Sequence, residues 1–251
     1  MFDIDAKGVR FRELNASIRE AVAKGEKEIR VKHVNGQYYI GDGLRGNAVI
    51  TIEGVPGNDL AAFMDGPTLV IKDNAQDNIA NTMNSGRIII HGHAGDVLGY
   101  GMRGGQLHIR GDVGYRVGIH MKGVKKQSPT IIVGGTAGDF FGEYMAGGML
   151  ILLGLDEKET KPLEGGRPLV GDYLATGMHG GVIYIRGEID KKRCGAEVGI
   201  MELDADDTKA LTDALTPYCA DFGLKLADVM KKGFKKLIPV SSRPYGNLYA
   251  Y

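Results

Sequence analysis

The chain has 251 residues, and its 31 Lys and Arg residues balance 31 Asp and Glu residues, so the formal net charge at pH 7 is zero. This balance excludes the global basic footprint of a protein that binds nucleic acid or an anionic membrane. No run of about 18 apolar residues is present and the charged N-terminus lacks an apolar signal core, so we predict neither a transmembrane span nor a secretory signal.

The first part of the chain, residues 1–40, predicts a small α/β cap. Residues 2–11 have an extended pattern, and Leu14–Lys24 has the apolar spacing of a short amphipathic helix. Glu28–Ile40 contains two alternating runs around Asn35-Gly36, which is a strong signal for a β-hairpin. We expect this helix–hairpin unit to cover the open N-terminal end of the domain that follows.

Residues 41–200 are organised by a repeat of 19 residues. The apolar pair Ile50/Ile52 recurs at steps of 19, 19, 19, 24, 19 and 33 as Leu69/Ile71, Ile88/Ile90, Leu107/Ile109, Ile131/Val133, Leu150/Leu152 and Ile183/Ile185. The two longer steps contain the polar insertions Lys122–Pro129 and Leu155–Val170, which we predict to be contact loops. Three other columns keep the same register: a methionine column (Met64, Met83, Met102, Met121, Met145, Met178), an apolar column (Leu60, Ile79, Leu98, Val117, Phe141, Leu174) and a small-residue column (Ala61, Ala80, Gly99, Gly118, Gly142, Ala175).

A unit of 19 residues is too short for a pair of helices, so each unit must consist of strand and tight turns. Stacking such units about 4.8 Å apart buries a continuous core and places like residues above one another. The sequence therefore predicts a mainly β protein, a parallel β-helix of about six or seven coils. We favour the right-handed form, because the six-residue period of left-handed hexapeptide helices is absent.

The last part, residues 201–251, predicts a two-helix extension. The first helix is expected to be capped by Asp206 or Asp207 and to end at Gly223, with an irregularity at Pro217. Lys225–Leu237 is expected to be a second short helix, and the segment from Ile238 to the end is expected to be extended. These elements cover the C-terminal end of the solenoid or pack against its flank.

Several motifs are candidate sites. Gly99–Gly104 matches GxGxxG, but a strand pattern follows it and the glycines belong to the repeat, which argues against a dinucleotide site. Four aspartates recur once per coil and would suit Ca²⁺ or a hydrolytic site, although turn hydrogen bonding is the favoured interpretation. These aspartates, with Asn58 and Tyr115 in the same register, are Asp77, Asp96, Asp139 and Asp172.

The histidines, cysteines and lysines give no stronger site. His91 and His93 offer two metal ligands without a third, and the methionine column is favoured as core over a soft-metal site. Cys194 and Cys219 lack CxxC spacing, which favours reduced thiols and a cytoplasmic location. The basic cluster of Lys231, Lys232, Lys235 and Lys236 is favoured as a solvated helix face. We therefore assign no catalytic, cofactor-binding or metal-binding residue to this chain.

Two repeat units, Gly95–Gly111 (GDVLGYGMRGGQLHIRG) and Gly138–Gly154 (GDFFGEYMAGGMLILLG), resemble the GXGXG domain. This domain is the C-terminal β-helix of the glutamate synthase large subunit. Gly57–Gly92 is similar to its opening coils and Leu211–Val240 to its two-helix tail, so the resemblance covers nearly the whole chain. The resemblance implies a right-handed β-helix, here as a free-standing chain.

The resemblance also implies a function. It indicates a non-catalytic structural subunit of a split glutamate-synthase-like complex, which makes glutamate from glutamine and 2-oxoglutarate. Partner subunits are then expected to carry the glutaminase, the FMN and the iron–sulfur clusters, and this chain no cofactor. The same domain occurs in a subunit of formylmethanofuran dehydrogenase and in N-methylglutamate synthase, which remain alternatives. A homo-oligomer and an independent β-helix hydrolase or lyase using the aspartate column also remain open.

Overall fold

A computed structural model describes residues 1–123, 128–155 and 168–240. Residues 124–127 of the first predicted contact loop, residues 156–167 of the second and residues 241–251 of the predicted extended C-terminal segment therefore lie outside the described residues. No described helix combines the length and apolar character needed to span a bilayer.

Within these ranges, eleven strands form one sheet in the order β1-β2-β3-β4-β5-β6-β7-β8-β9-β11-β10. Strands β1 to β9 are parallel to their neighbours, whereas β11 is antiparallel to both β9 and β10. The strands are β1 (Phe2–Asp5), β2 (Glu28–Asn35), β3 (Val49–Val55), β4 (Asp65–Ile71), β5 (Ser85–Ile90), β6 (Gln106–Ile109), β7 (Thr130–Val133), β8 (Ala146–Leu152), β9 (Gly180–Arg186), β10 (Val198–Met201) and β11 (Phe234–Pro239). The helices are α1 (Phe11–Ala23), α2 (Ala205–Phe222) and α3 (Leu226–Met230), and Lys191–Arg193 forms one 3-10 turn.

The strand register confirms the repeat. Ile50 lies opposite Leu69, Leu69 opposite Ile88 and Ile88 opposite Leu107, and the same stack continues through the longer steps. Strand β2 adds a further level, with Ile29 opposite Ile50. Each coil thus contributes one strand to a parallel sheet, and the chain forms a β-solenoid of about six turns.

The interior of the solenoid consists of the predicted columns. Every member of the methionine column and of the apolar column is at most 1% exposed. The methionines are stacked coil upon coil, because the residue after each one donates its N–H to the methionine carbonyl of the preceding coil; Arg103 N lies 2.9 Å from Met83 O and Lys122 N lies 2.9 Å from Met102 O. The flexible thioether side chain suits such a column, since it fills gaps between coils of different composition.

Opposite the strand, each coil turns through three residues in left-handed conformation, spaced two apart. In the coil between β5 and β6 these are Val97, Gly99 and Gly101, with φ of 60°, 69° and 57°. Left-handed backbone costs a residue with a Cβ roughly 1–2 kcal/mol. The coils offset this cost with hydrogen bonds in both directions: Gly99 donates to Ile79 O of the coil before at 2.7 Å, and Val97 donates to Tyr115 O of the coil after at 2.8 Å.

The N-terminal hairpin prediction is wrong. Strand β2 ends at Asn35 as expected, but no described strand returns from Gly36, and β2 pairs in parallel with β1 and β3. Parallel neighbours need a crossover, and helix α1 provides it between β1 and β2. Its buried Leu14 and Ile18 join the core, so this β-α-β unit covers the open end of the solenoid.

The C-terminal prediction is right for one helix and wrong for the other. Helix α2 ends at Gly223 as expected, but its cap is Asp204, which forms a capping box with Asp207. The predicted second helix stops at Met230. After a turn with left-handed Gly233, the chain forms β11, because Phe234 and Leu237 bury their side chains while the strand pairs with β9.

Helix α2 packs against the outer surface of the sheet. Its Leu211, Leu215 and Tyr218 are fully buried against outward side chains of β7 to β9, which include Ile132 and Ile151. These residues form a second core that is separate from the solenoid interior. The structure therefore consists of a solenoid with one flank covered by the C-terminal segment of residues 201–240, which we call the helical layer.

Candidate functional site

The predicted aspartate column is a ladder of side-chain-to-backbone hydrogen bonds between coils. Asp77 Oδ1 accepts the N–H of Asp96 at 2.8 Å, and Asp96 Oδ1 accepts the N–H of Tyr115 at 2.8 Å. The residue before each of these donor N–H groups is a glycine, and a Cβ on Gly114 would lie 1.8 Å from Asp96 Oδ1. The favoured turn interpretation is therefore refined: the carboxylates of Asp77, Asp96 and Asp139 bind the turn of the next coil, not their own turn, whereas the carboxylate of Asp172 pairs with Arg193 at 2.7 Å.

A second ladder runs beside the first one. Asn74 Oδ1 accepts the N–H of His93 at 2.7 Å, His93 Nδ1 accepts the N–H of Asp112 at 2.9 Å, and Asp112 Oδ1 accepts the N–H of Thr136 at 2.7 Å. His93 thus uses one ring nitrogen to bind the backbone. His91 lies elsewhere: its ring contacts Phe222 of α2 edge to face, with centroids 5.4 Å apart. Within the described ranges, no group of three His, Cys, Asp or Glu residues is placed to hold a metal ion.

The ladder can be tested at Asp139, whose Oδ1 accepts the N–H of Asp172 at 2.8 Å. Asp139→Ala should lower the free energy of unfolding by about 1 kcal/mol, because a backbone N–H loses its acceptor. Asp139→Asn keeps an acceptor oxygen, as Asn58 does natively, and should stay within about 0.5 kcal/mol of wild type. Urea unfolding followed by far-UV circular dichroism measures both. Equal losses in the two variants would contradict the ladder role.

The helical layer contains a buried polar cluster that the sequence did not predict. His108 on β6 is fully buried, and its Nδ1 lies 2.6 Å from Asp221 Oδ2 of α2. Arg87 binds the same carboxylate at 2.5 Å and donates to the Pro217 carbonyl at 3.1 Å. Burial lowers the pKa of His108, and the bond to Asp221 opposes this effect. The cluster fixes the last turn of α2 to the sheet.

A second polar cluster fixes the first turn of α2. The Tyr184 hydroxyl donates to Asp207 at 2.6 Å, and Lys236 of β11 binds the same carboxylate at 2.8 Å. Burial alone would raise the pKa of Asp207, but hydrogen bonds from Lys236, Tyr184 and the Asp204 N–H lower it to about 2. The lysine cluster predicted as a solvated helix face is therefore divided, since Lys235 and Lys236 lie on a strand and form ion pairs. Both cysteines are free thiols.

Exposed aromatic residues are concentrated on the surface formed by the left-handed turns. We call this surface the turn face; it comprises residues 38–43, 58–63, 77–82, 96–101, 115–120, 139–144 and 172–177. Among the described residues, it holds seven of the twelve large hydrophobic residues that are exposed: Tyr38, Tyr39, Phe63, Tyr100, Tyr115, Tyr144 and Tyr173. Surface aromatic residues in such density are typical of protein interfaces.

The turn-face rings are stacked along the solenoid. His120 and Tyr144 are stacked at 5.4 Å with 10° between their planes, and Phe140 and Tyr173 are stacked at 4.8 Å with 9° between theirs. Arg116 packs against the second stack, because its guanidinium lies 4.2 Å from the Phe140 ring centroid, and its Nε lies 3.0 Å from Glu143. This stacking holds the exposed rings of Tyr144 and Tyr173 in fixed positions before any partner binds.

The sequence and the fold of this chain resemble those of known proteins. The GXGXG motif family matches residues 14–241. The chain belongs to the GXGXG family. Glycine occupies two of the three left-handed positions of a coil at Gly41 and Gly43 and again at Gly99 and Gly101. At other left-handed positions this GXGXG protein has residues with a Cβ, among them Ala, Asn, Thr, Arg and aromatic residues, and inter-coil hydrogen bonds hold them in place. The predicted family membership is confirmed.

Two individual proteins resemble this GXGXG chain. It is 44% identical over 253 residues to the uncharacterized protein MJ1350 of Methanocaldococcus jannaschii, covering 98% of this chain and 95% of that protein. It is also similar to a chain in the crystal structure of the formyltransferase/hydrolase complex FhcABCD from Methylorubrum extorquens in complex with methylofuran, with a TM-score of 0.65 and 20% identity over 86% of this chain and 80% of that chain. The second likeness shows a shared fold.

Proposed function

We propose that this GXGXG protein is a non-catalytic structural subunit of a split glutamate-synthase-like complex that makes glutamate from glutamine and 2-oxoglutarate. Partner subunits supply the glutaminase, the FMN and the iron–sulfur clusters, and the complex is cytoplasmic. The observation that carries the proposal is the extent of the family match, which covers the solenoid together with the helical layer. The motifs that resemble the glutamate synthase domain lie in both parts.

The described structure supports a role as a rigid spacer. The strand stack from β3 to β9 has six steps of about 4.8 Å, which gives a length of roughly 29 Å. The polar side chains of the two ladders bind the backbone of neighbouring coils, which stiffens the stack. A spacer of this kind holds two active centres at a fixed separation, so that an intermediate passes between them before it is lost.

The proposal is tested by reconstitution. The full chain is co-expressed with candidate glutaminase and FMN/iron–sulfur subunits, and glutamine-dependent glutamate formation from 2-oxoglutarate is measured with and without it. We expect the three chains to co-purify, and we expect omission of this chain to uncouple glutamine hydrolysis from glutamate formation. A control experiment uses Asp139→Asn, which should leave unchanged both the co-purification and the coupling of glutamine hydrolysis to glutamate formation. Full coupling without this chain, or failure of the chains to associate, would contradict the proposal.

A second candidate function is the corresponding subunit of a formylmethanofuran dehydrogenase-like complex. It is favoured by the structural similarity to a chain of the formyltransferase/hydrolase complex. The same co-expression with formyltransferase/hydrolase subunits separates the two candidates, since a spacer should assemble stably with only one set of partners. N-methylglutamate synthase is a third setting of the same domain and is tested by a further arm of this experiment.

The independent hydrolase or lyase is disfavoured by the described contacts. The carboxylates Asp77, Asp96 and Asp139 each use an oxygen to bind the next coil, and a catalytic carboxylate held in this way is turned toward the backbone. Turnover by the isolated chain that Asp139→Asn abolishes, with unchanged stability, would restore this candidate.

A further inference from the structure

We propose that the turn face is a self-complementary interface through which two copies of this chain form a two-fold dimer. The inference is independent of the pathway in which the protein works. It follows from three properties of the turn face: its exposed stacked rings, its length, and the arrangement of charged side chains along its two borders.

The rings provide an interface surface that loses little entropy on binding. Tyr144 is held between the His120 ring and Gly177, where a Cβ would lie 2.3 Å from the tyrosine ring. Tyr100 meets His120 edge to face at 5.7 Å. Rigid, exposed aromatic side chains are typical of the residues that dominate interface energy. These rings are ordered before a partner arrives.

The turn face is nearly as long as a standard interface is across. Seven levels, from Tyr39 to Tyr173, are separated by six steps of about 4.8 Å and span roughly 29 Å. A standard interface buries about 800 Å² on each partner, which corresponds to a patch roughly 32 Å across. The chain also has no net charge, so two copies do not repel one another overall.

The borders of the turn face have opposite charge. One border is the aspartate column, with Asp77 and Asp96 in successive coils and Asp139 further along. The other border consists of residues that directly follow the column methionines; Arg103 and Lys122 are exposed there at the centre of the face, and Asp65 is exposed at its N-terminal end. The coil that contains Asp96 and Arg103 thus runs from an acidic residue across the Tyr100 ring to a basic residue, and the neighbouring coils add Asp77 to the first border and Lys122 to the second.

This polarity selects one arrangement of two copies. A two-fold axis parallel to the solenoid places the acidic border of each copy against the basic border of the other, coil against coil. A two-fold axis across the solenoid would place acid against acid and base against base, which electrostatic complementarity disfavours. Asp96 of one copy then faces Arg103 of the other, and the pair occurs twice.

The experiment measures the mass of the purified full-length chain by sedimentation equilibrium over a range of concentrations. The wild-type chain should give about twice the monomer mass of 27.0 kDa. Arg103→Glu places two acidic groups opposite each other and should raise the dimer Kd by about tenfold or more. Tyr144→Ala removes a central ring and should weaken the dimer by at least as much.

A rescue variant makes the test specific. Asp96→Asn in the Arg103→Glu background removes the opposed charge and keeps the ladder acceptor, so it should recover most of the lost affinity. Lys231→Glu, an exposed charge reversal on the helical side, should leave the Kd unchanged. A monomer at roughly 100 μM, a dimer insensitive to both face variants, or the absence of rescue would overturn the proposal; so would a wild-type chain that associates only with a different protein.

Discussion

Gly118→Val should destabilise the solenoid by about 3 kcal/mol. Gly118 has φ of +75°, and a Cβ there would lie 2.7 Å and 2.8 Å from the two Cδ atoms of Leu150, which is fully buried. A β-branched residue in left-handed conformation costs about 1–2 kcal/mol, and overpacking a filled core adds about 1–3 kcal/mol. Urea unfolding monitored by circular dichroism should show a lower midpoint.

Gly101 provides the matched control, because it has the same conformation without the interior contact. Its φ is +57°, and the nearest atom to a Cβ there is Thr82 Oγ1 at 3.7 Å. Gly101→Ala should therefore cost about 1 kcal/mol, the conformational part alone. If both variants lost the same stability, the interior packing of the small-residue column would not be what requires Gly118.

The sequence predicted the solenoid well, because its information is periodic. A spacing of 19 between Ile50, Leu69 and Ile88 is the same as their strand register, so the stack could be deduced without knowing any contact. The single-copy segments were predicted less well. Asn35-Gly36 has the local chemistry of a hairpin turn, but β2 pairs with β1, which lies 27 residues earlier in the chain. The residues around Gly36 contain no sequence signal for the pairing of β2 with β1.

The helical layer shows the same limit. The spacing of three residues between Phe234 and Leu237 is typical of one face of a helix, but pairing with the edge of β9 makes this segment a strand whose opposite faces bury the two side chains in different cores. The aspartate column was visible, since it repeats, but its acceptor role depends on a coil-to-coil approach that glycine permits. The cluster of His108 and Asp221 joins residues 113 positions apart, and each one alone is an unremarkable polar residue.

That cluster gives the second large expected effect. Asp221→Ala should lower the free energy of unfolding by about 3 kcal/mol, because Arg87 and the fully buried His108 lose their shared anionic partner. His108 Nε2 and Arg87 Nε already have no hydrogen-bond partner among the described residues, so little nearby can compensate. Differential scanning calorimetry and urea unfolding should agree on the loss.

Asp213→Ala is the control on the same helix. Asp213 pairs with Lys209 at 2.6 Å on the exposed side of α2, and such a surface pair contributes about 0.5 kcal/mol or less. Because the second core beneath α2 stays intact in both variants, hydrogen exchange should locate the Asp221→Ala effect in the last turn of α2 and in β6. A loss spread evenly over the solenoid would mean that Asp221 stabilises the whole fold rather than the contact between helix and sheet. An Asp221→Ala chain as stable as Asp213→Ala would show that Arg87 and His108 find water instead, and that the apolar contacts of Tyr218 and Leu215 alone hold the helix in place.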